Sequence, residues 1–175
     1  MKADILICSV GGQEIKPYLD FFSLFADKKD ERIYIDYKKG FSPERCSESY
    51  SIRIGGGFGE ILPEGADVVI ATEQLEGVKK RFFPSSDGGL IVSKKKILPT
   101  SVINGTSGYP TDCFQKCIND CFKVFDYDGD YLSACFLALR LLRIDKNECL
   151  TLFRREYDRA TEIIEKAFAQ KFVKA

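Results

Sequence analysis

The chain has 175 residues, of which 45% are hydrophobic and 30% charged, and this balance predicts one globular domain over residues 1–175 with its own hydrophobic core. Lys and Arg together number 26, as do Asp and Glu, so no excess positive charge favours nucleic acid or an anionic membrane surface as a partner. The sequence contains no histidine, which excludes Ser-His-Asp triads, Cys-His dyads and histidine-ligated metals.

The first predicted element is a buried strand at residues 5–10, which breaks into paired glycines where a helix should begin. Further strands are predicted at residues 32–37, 49–54, 67–72, 90–93 and 123–127. Helices are predicted at residues 19–25, 73–82, 112–122, 130–142 and 147–168, the last as one or two helices capped by Asn147. Strands that alternate with helices indicate the α/β class: a three-layer α/β/α domain with a mainly parallel sheet.

The seven cysteines are irregularly spaced and include no Cys-x-x-Cys pair, which predicts free thiols rather than disulfides or a metal site. No apolar stretch approaches the ~20 residues needed to span a bilayer. The apolar opening contains Asp4 and ends in glycines, a pattern typical of a strand and not of a secretory signal. We therefore expect a cytoplasmic protein that neither binds a metal nor enters a membrane.

Gly11, Gly12 and Gln13 are the first candidate binding residues. Glycines after a strand let the backbone approach a ligand, and the amides at a helix N-terminus favour anions. Glu14, however, adds a negative charge here, and Pro17 predicts that the helix starts only between residues 14 and 17. The loop is thus less favourable to anions than a nucleotide-binding turn, and a purely geometric role for the glycines is the alternative.

Two other patterns resemble known ligand sites but fail on spacing. Gly55-Gly56-Gly57-Phe58-Gly59-Glu60 lacks the last glycine of a dinucleotide fingerprint and precedes Pro63 rather than a helix, so we expect a loop or hairpin. In residues 126–130 (DYDGD) the glycine comes fourth, not sixth as an EF-hand requires. That segment predicts a turn and a helix cap.

Two cysteine patterns also favour structural roles. Cys113, Cys117 and Cys121 recur every four residues, which places them on one apolar helix face and predicts core packing. Cys46 stands in the polar stretch 42–49 with Arg45 as the only neighbouring cation and no histidine to activate it. We expect this stretch to be a surface or interface loop.

Five segments in order resemble the gamma-type subunit of 2-oxoacid:ferredoxin oxidoreductases, the group that acts on pyruvate, 2-oxoglutarate, 2-oxoisovalerate and indolepyruvate. Residues 3–13 (ADILICSVGGQ) are similar to the family's strand followed by G-x-G-G-Q-G. The other matching segments are residues 41–55 (FSPERCSESYSIRIG), 65–80 (GADVVIATEQLEGVKK), 88–102 (GGLIVSKKKILPTSV) and 132–145 (LSACFLALRLLRID).

The sequence departs from the family pattern at two of these segments. Ser9 and Glu14 replace the first and last glycines of G-x-G-G-Q-G, and the family's Q-R-G-G has become Pro43-Glu44-Arg45-Cys46. The resemblance places these positions near the subunit interface and the cofactor end. We therefore expect a diverged member whose fold is kept and whose site is altered.

The resemblance implies a subunit of a complex that decarboxylates a 2-oxoacid oxidatively, forms an acyl-CoA and passes electrons to ferredoxin. Thiamine diphosphate and the iron–sulfur clusters are then held mainly by thiamine diphosphate-binding and ferredoxin-like partner subunits, and CoA belongs to the complex. No catalytic residue is expected in this chain, and Gly11, Gly12 and Gln13 are its candidate cofactor-binding or interface residues. A diverged paralogue that serves as a binding or assembly module without redox activity is the alternative, followed by a stand-alone nucleotide-binding protein.

Overall fold

The computed structural model describes residues 1–40, 46–121 and 123–173, which form six strands and seven helices. The strands are β1 (Ala3–Val10), β2 (Ile33–Lys39), β3 (Ser47–Ile54), β4 (Ala66–Ala71), β5 (Pro84–Ser93) and β6 (Val124–Tyr127). The helices are α1 (Lys16–Lys28), α2 (Gln74–Lys79), α3 (Thr100–Ile103), α4 (Cys113–Asp120), α5 (Tyr131–Leu141), α6 (Lys146–Phe153) and α7 (Ala160–Ala169).

The strands form one sheet in the order β2-β3-β1-β4-β5-β6. The pairs β1–β4, β4–β5 and β5–β6 are parallel, whereas β3 is antiparallel to both β1 and β2. Only β3 therefore runs against the common direction, which confirms the predicted α/β class and mainly parallel sheet.

Residues at alternate positions of the central strands point to opposite sides of the sheet. Each face therefore carries apolar side chains, and helices cover both. On one side Ile5 and Ile7 pack in a core with α1, α5, α6 and α7; on the other, Leu6 and Cys8 pack in a smaller core with α2 and α4. These two cores create the predicted three layers.

The larger core is centred on Phe153 of α6. Its ring stacks on Phe21 with centroids 4.7 Å apart and meets Phe136 edge-on at 5.6 Å. All three side chains are completely buried. The aromatic cluster thereby fixes α1 and α5 against each other on one face of the sheet.

The structure corrects three details of the predicted elements. Helix α6 is capped by Asp145, whose carboxylate accepts a hydrogen bond of 3.0 Å from Glu148 N, and not by Asn147. Strand β5 begins at Pro84 rather than residue 90. Pro84 already pairs with Ala66 of β4, and a register shift separates this pair from the next one, Val68 with Gly89. The short helix α3 was not predicted, since its four residues bury no side chain and leave no apolar pattern.

Candidate functional site

A cleft of about 810 Å³ opens at the edge of the sheet where the parallel strands end. Its walls come from the segments that follow β1, β4, β5 and β6 and from the first turns of α1 and α5. The lining residues are Gly11, Gly12, Gln13, Glu14, Ile15, Pro17, Tyr18, Thr72, Lys95, Lys96, Ile97, Leu98, Ile103, Gly129, Asp130 and Tyr131.

The position of the cleft follows from the topology. The chain leaves β1 toward α1 on one face of the sheet and leaves β4 toward α2 on the other face. Because β1 and β4 are neighbours, the two connections diverge and leave a crevice between them. Ligands in open α/β sheets bind at such a point.

The predicted glycines form a tight turn at the centre of this crevice. Gln13 N donates to Val10 O at 3.1 Å, and Gly12 between them has a φ of +90°. A turn with its third residue at positive φ favours glycine there. Gly11 N donates to Cys46 O at 2.8 Å, so the turn is also tied to the start of β3.

We expect Gly12→Ala to lower the free energy of unfolding by about 1–2 kcal/mol, because alanine is strained at a φ of +90° although no atom lies within 4 Å of its Cβ position. Denaturant unfolding measures the loss. The matched control is Gly57→Ala, where φ is not positive and space is also open, so the change there should stay within about 0.5 kcal/mol. Equal losses at the two positions would contradict the turn geometry.

Gln13 clamps the two diverging connections together. Its Oε1 accepts from Val10 N at 2.8 Å and from the Thr72 hydroxyl at 2.6 Å, and its Nε2 donates to Thr72 O at 3.2 Å. The side chain therefore joins the end of β1 to the end of β4. Most of its hydrogen-bonding capacity is used within the chain, which favours a supporting role over direct ligand contact.

The first turn of α1 faces the cleft with few free donors. Its N-cap residue Ile15 makes no side-chain cap, and its first turn contains no acidic residue. Pro17 lacks an N–H, and Tyr18 N donates to Ile15 O at 3.0 Å. The helix start at Lys16 lies within the predicted range, and its free N–H groups are fewer than a phosphate-binding turn offers.

The charges that line the cleft are mixed. Lys95 and Lys96 line the cleft in the segment after β5, and Glu14 and Asp130 line it in the segments after β1 and β6. Asp130 also caps α5, accepting from Ser133 N at 3.1 Å, which confirms the predicted turn and cap at residues 126–130. The cleft therefore combines two cations for an anionic group with two carboxylates that restrict where such a group can lie.

The lysine-bearing wall is held by α2 and by Glu73, the N-cap residue of α2. Gln74 Nε2 donates to Lys94 O at 2.9 Å, and Ile97 N donates to Glu73 Oε1 at 3.4 Å. The same Glu73 oxygen accepts from the Tyr109 hydroxyl at 2.5 Å, and burial together with this carboxylate raises the pKa of Tyr109. Glu73 is fully buried and fixes the segment 94–97 from behind.

A second buried carboxylate, Glu76, ties α2 to the start of β3. Its Oε1 accepts from the Ser47 hydroxyl at 2.7 Å and from Lys79 Nζ at 2.6 Å, while its buried Oε2 has no hydrogen-bond partner among the described residues. Glu73 and Glu76 were not assigned a role from the sequence. Two glutamates three residues apart after a buried strand, the first of them capping a helix, are the signal that could have identified them.

The structure also shows where the cysteines and the glycine-rich loop that the sequence analysis considered are located. Cys113 and Cys117 are buried and Cys121 is half-buried, as predicted for core packing, and burial raises the pKa of Cys117 to about 12. Cys46 is buried rather than exposed in a loop, and residues 47–49 belong to β3, whereas residues 41–45 lie outside the described part of the chain. Phe58 in the glycine-rich loop is 85% exposed.

No group of three or more Cys, Asp or Glu side chains is arranged to hold a metal ion within residues 1–40, 46–121 and 123–173. Over the same ranges, no helix combines the length and the apolar character needed to cross a bilayer.

No protein-family model matches the sequence. The indolepyruvate oxidoreductase subunit IorB of Methanothermobacter thermautotrophicus is 32% identical over 111 residues, which make up 63% of this chain and 57% of that subunit. The IorB subunit of Archaeoglobus fulgidus is 30% identical over 111 residues, 63% of this chain and 55% of that subunit. The match thus spans little more than half the length of these relatives.

Two solved structures share the fold. The pyruvate oxidoreductase subunit PORC of Thermotoga maritima gives a TM-score of 0.57 at 13% identity, covering 96% of this chain and 93% of that one. The gamma subunit of a keto/oxoacid ferredoxin oxidoreductase from Geobacter sulfurreducens gives 0.51 at 15% identity, with the same coverage. Together with the IorB relatives, these matches confirm the predicted resemblance to gamma-type subunits.

Proposed function

We propose that this chain, a relative of the IorB subunits with the fold of oxidoreductase gamma subunits, works as one subunit of a multisubunit 2-oxoacid:ferredoxin oxidoreductase. The observation that carries the proposal is the sequence match to two IorB subunits over the same length of 111 residues. The complex would decarboxylate a 2-oxoacid oxidatively with thiamine diphosphate, transfer the acyl group to CoA and pass the electrons to ferredoxin. This chain would form one domain of it.

The chemistry of the described residues supports a role without a catalytic acid or base. The whole sequence lacks histidine, and the buried Glu73 and Glu76 bond to neighbouring groups of the protein instead of facing the cleft. The cysteines do not fit an iron–sulfur cluster, since such clusters are held by converging cysteine thiolates and no such group occurs among the described residues. The proposal assigns the clusters and thiamine diphosphate to ferredoxin-like and thiamine diphosphate-binding partner subunits.

The cleft is the place where this chain would meet those partners or a cofactor they share. Gly12, which follows Gly11 in the turn, has no atom within 4 Å of its Cβ position and so leaves the backbone open to close approach, and Gln13 keeps the turn in place from behind. Lys95 and Lys96 supply positive charge for an anionic group such as a phosphate of CoA. These residues would bind and orient, and CoA would supply the acyl acceptor.

A second candidate function is an assembly module without redox activity, and Glu14 is the observation that favours it. Its carboxylate lines the cleft beside the glycine turn, where the resembled family has a glycine. A negative charge there opposes the binding of an anionic cofactor. The chain would then keep the scaffold and the partner contacts only.

Co-expression with candidate thiamine diphosphate-binding and ferredoxin-like subunits, followed by anaerobic purification, tests the proposal. We expect the chain to copurify with them and the complex to reduce ferredoxin when a 2-oxoacid and CoA are added. A complex that forms but remains inactive would favour the assembly module. If the chain elutes alone and no mixture oxidises a 2-oxoacid, the subunit function is wrong.

A further inference from the structure

Strand β2 is an edge of the sheet with an unusual amount of exposed apolar surface. It stands at one end of the sheet order and, among the described residues, pairs only with β3. Tyr34, Ile35 and Tyr37 are 44%, 43% and 48% exposed, so both faces of the strand carry large uncovered side chains. An edge strand with unpaired backbone groups and exposed apolar side chains is a template for pairing with another chain.

The register of β2 on β3 shows which backbone groups are left for such pairing. Gly40 N donates to Ser47 O at 2.9 Å, and Gly55 N donates to Arg32 O at 2.8 Å. In an antiparallel pair, alternate residues direct their N–H and C=O groups toward the neighbouring strand. Even-numbered residues of β2 therefore face β3, and Ile33, Ile35, Tyr37 and Lys39 direct theirs toward the open edge.

We infer that β2 pairs antiparallel with β2 of a second copy of this chain, about a two-fold axis at Tyr37. In this register Asp36 lies opposite Lys38 of the second copy, and symmetry repeats the pair. Opposite charges directly across an antiparallel pair are favourable. The strand is thus complementary in charge to itself, which is the reason to assign a second copy as its partner.

Neighbouring registers with the same backbone pattern are less favourable. An axis at Asp36 places Asp36 opposite Asp36, and an axis at Ile35 places Arg32 opposite Lys38. Like charges in directly opposed positions are destabilising. Of these three axes, the charges therefore favour the one at Tyr37.

The tyrosines of the strand support the same register. Tyr37 lies opposite Tyr50 of β3, and their ring centroids are 4.9 Å apart. An axis at Tyr37 extends this pair into a row of four tyrosines on one face of a continuous sheet, and cross-strand aromatic pairs are stabilising. Lys38 forms an ion pair with Glu60 at 2.9 Å, but its side chain is 65% exposed, which leaves donors for Asp36 of the second copy.

Charge reversal gives a test that depends on the register. Asp36→Lys alone opposes lysine to lysine and Lys38→Asp alone opposes aspartate to aspartate, so each variant should dimerise at least about tenfold more weakly than the parent chain in sedimentation equilibrium. A 1:1 mixture of the two variants restores both opposite-charge pairs. We expect the mixture to form a heterodimer as tightly as the parent chain forms its homodimer.

The control is Asp158→Lys, which makes the same change in charge at an exposed position of another surface and should leave dimerisation unchanged. Photo-oxidative cross-linking of the parent chain should also yield a Tyr37–Tyr37 link, identified by peptide mass spectrometry. The inference is overturned if the parent chain is monomeric up to about 0.5 mM, a range that covers weak interfaces. It is equally overturned if the mixed variants fail to associate. Neither readout depends on oxidoreductase activity.

Discussion

Replacing Phe153 by alanine is expected to lower the free energy of unfolding by about 3–5 kcal/mol. The ring is completely buried and packs on Phe21, Phe25 and Phe136, with centroid distances of 4.7, 6.3 and 5.6 Å. Its removal leaves a cavity that the surrounding rings cannot fill without leaving their own contacts. Denaturant unfolding followed by circular dichroism measures the loss.

The same measurement tests whether the chain is one domain. Because Phe153 lies between helices from the first and last thirds of the chain, its loss should shift one cooperative transition without splitting it. Phe58→Ala is the control, since this side chain is 85% exposed and the change should stay within about 0.5 kcal/mol. A loss below about 1 kcal/mol for Phe153→Ala would contradict the central position of the aromatic cluster.

Glu73→Ala is expected to lower the free energy of unfolding by about 2–4 kcal/mol. The substitution removes the side-chain cap of α2, a bond of 3.1 Å from Glu76 N, worth about 1 kcal/mol. It also removes the acceptor of the Tyr109 hydroxyl and of Ile97 N; fully buried donors without partners cost about 1–3 kcal/mol, and these two, which are half-buried, fall toward the lower end of that range. Denaturant unfolding gives the total.

Hydrogen exchange separates this network from a general loss of stability. We expect the amides of residues 95–98 to exchange faster in Glu73→Ala even under conditions where the sheet stays protected. The segment that contains them has lost its bond to the Glu73 carboxylate. Glu73→Gln keeps one acceptor oxygen and should show about half of both effects. Glu165→Ala, at an exposed position of α7, should show neither. A uniform increase over the whole chain would contradict the role of Glu73.

The fold could be predicted where the information is local. The β-branched run in β4 predicted a strand buried on both faces, and all but one of its residues are buried. The antiparallel direction of β3 was not predicted, although the signal was present. Only seven residues, 40–46, separate Lys39 from Ser47 at the start of β3, and a parallel crossover needs about a dozen.

The candidate site was predicted in part. The turn at residues 10–13 follows from adjacent residues, so the sequence indicated it directly. The buried bonds of Glu73 and Glu76 join residues 24 to 36 positions apart, and no short pattern reports such contacts. Asp145 and Asn147 are both cap residues by type; Glu148 three positions after Asp145 is the feature that distinguishes them.

The single reversed strand has a consequence for how this sequence can change. Because β3 starts where β1 ends, Cys46 lies beside the glycine turn: its O accepts from Gly11 N, and Gly40 N donates to Ser47 O. Both bonds join backbone atoms, so neither depends on the identity of a side chain. The sequence of the connection between β2 and β3 can therefore change while these bonds stay constant, and residues 43–46 are where this sequence and the resembled pattern differ.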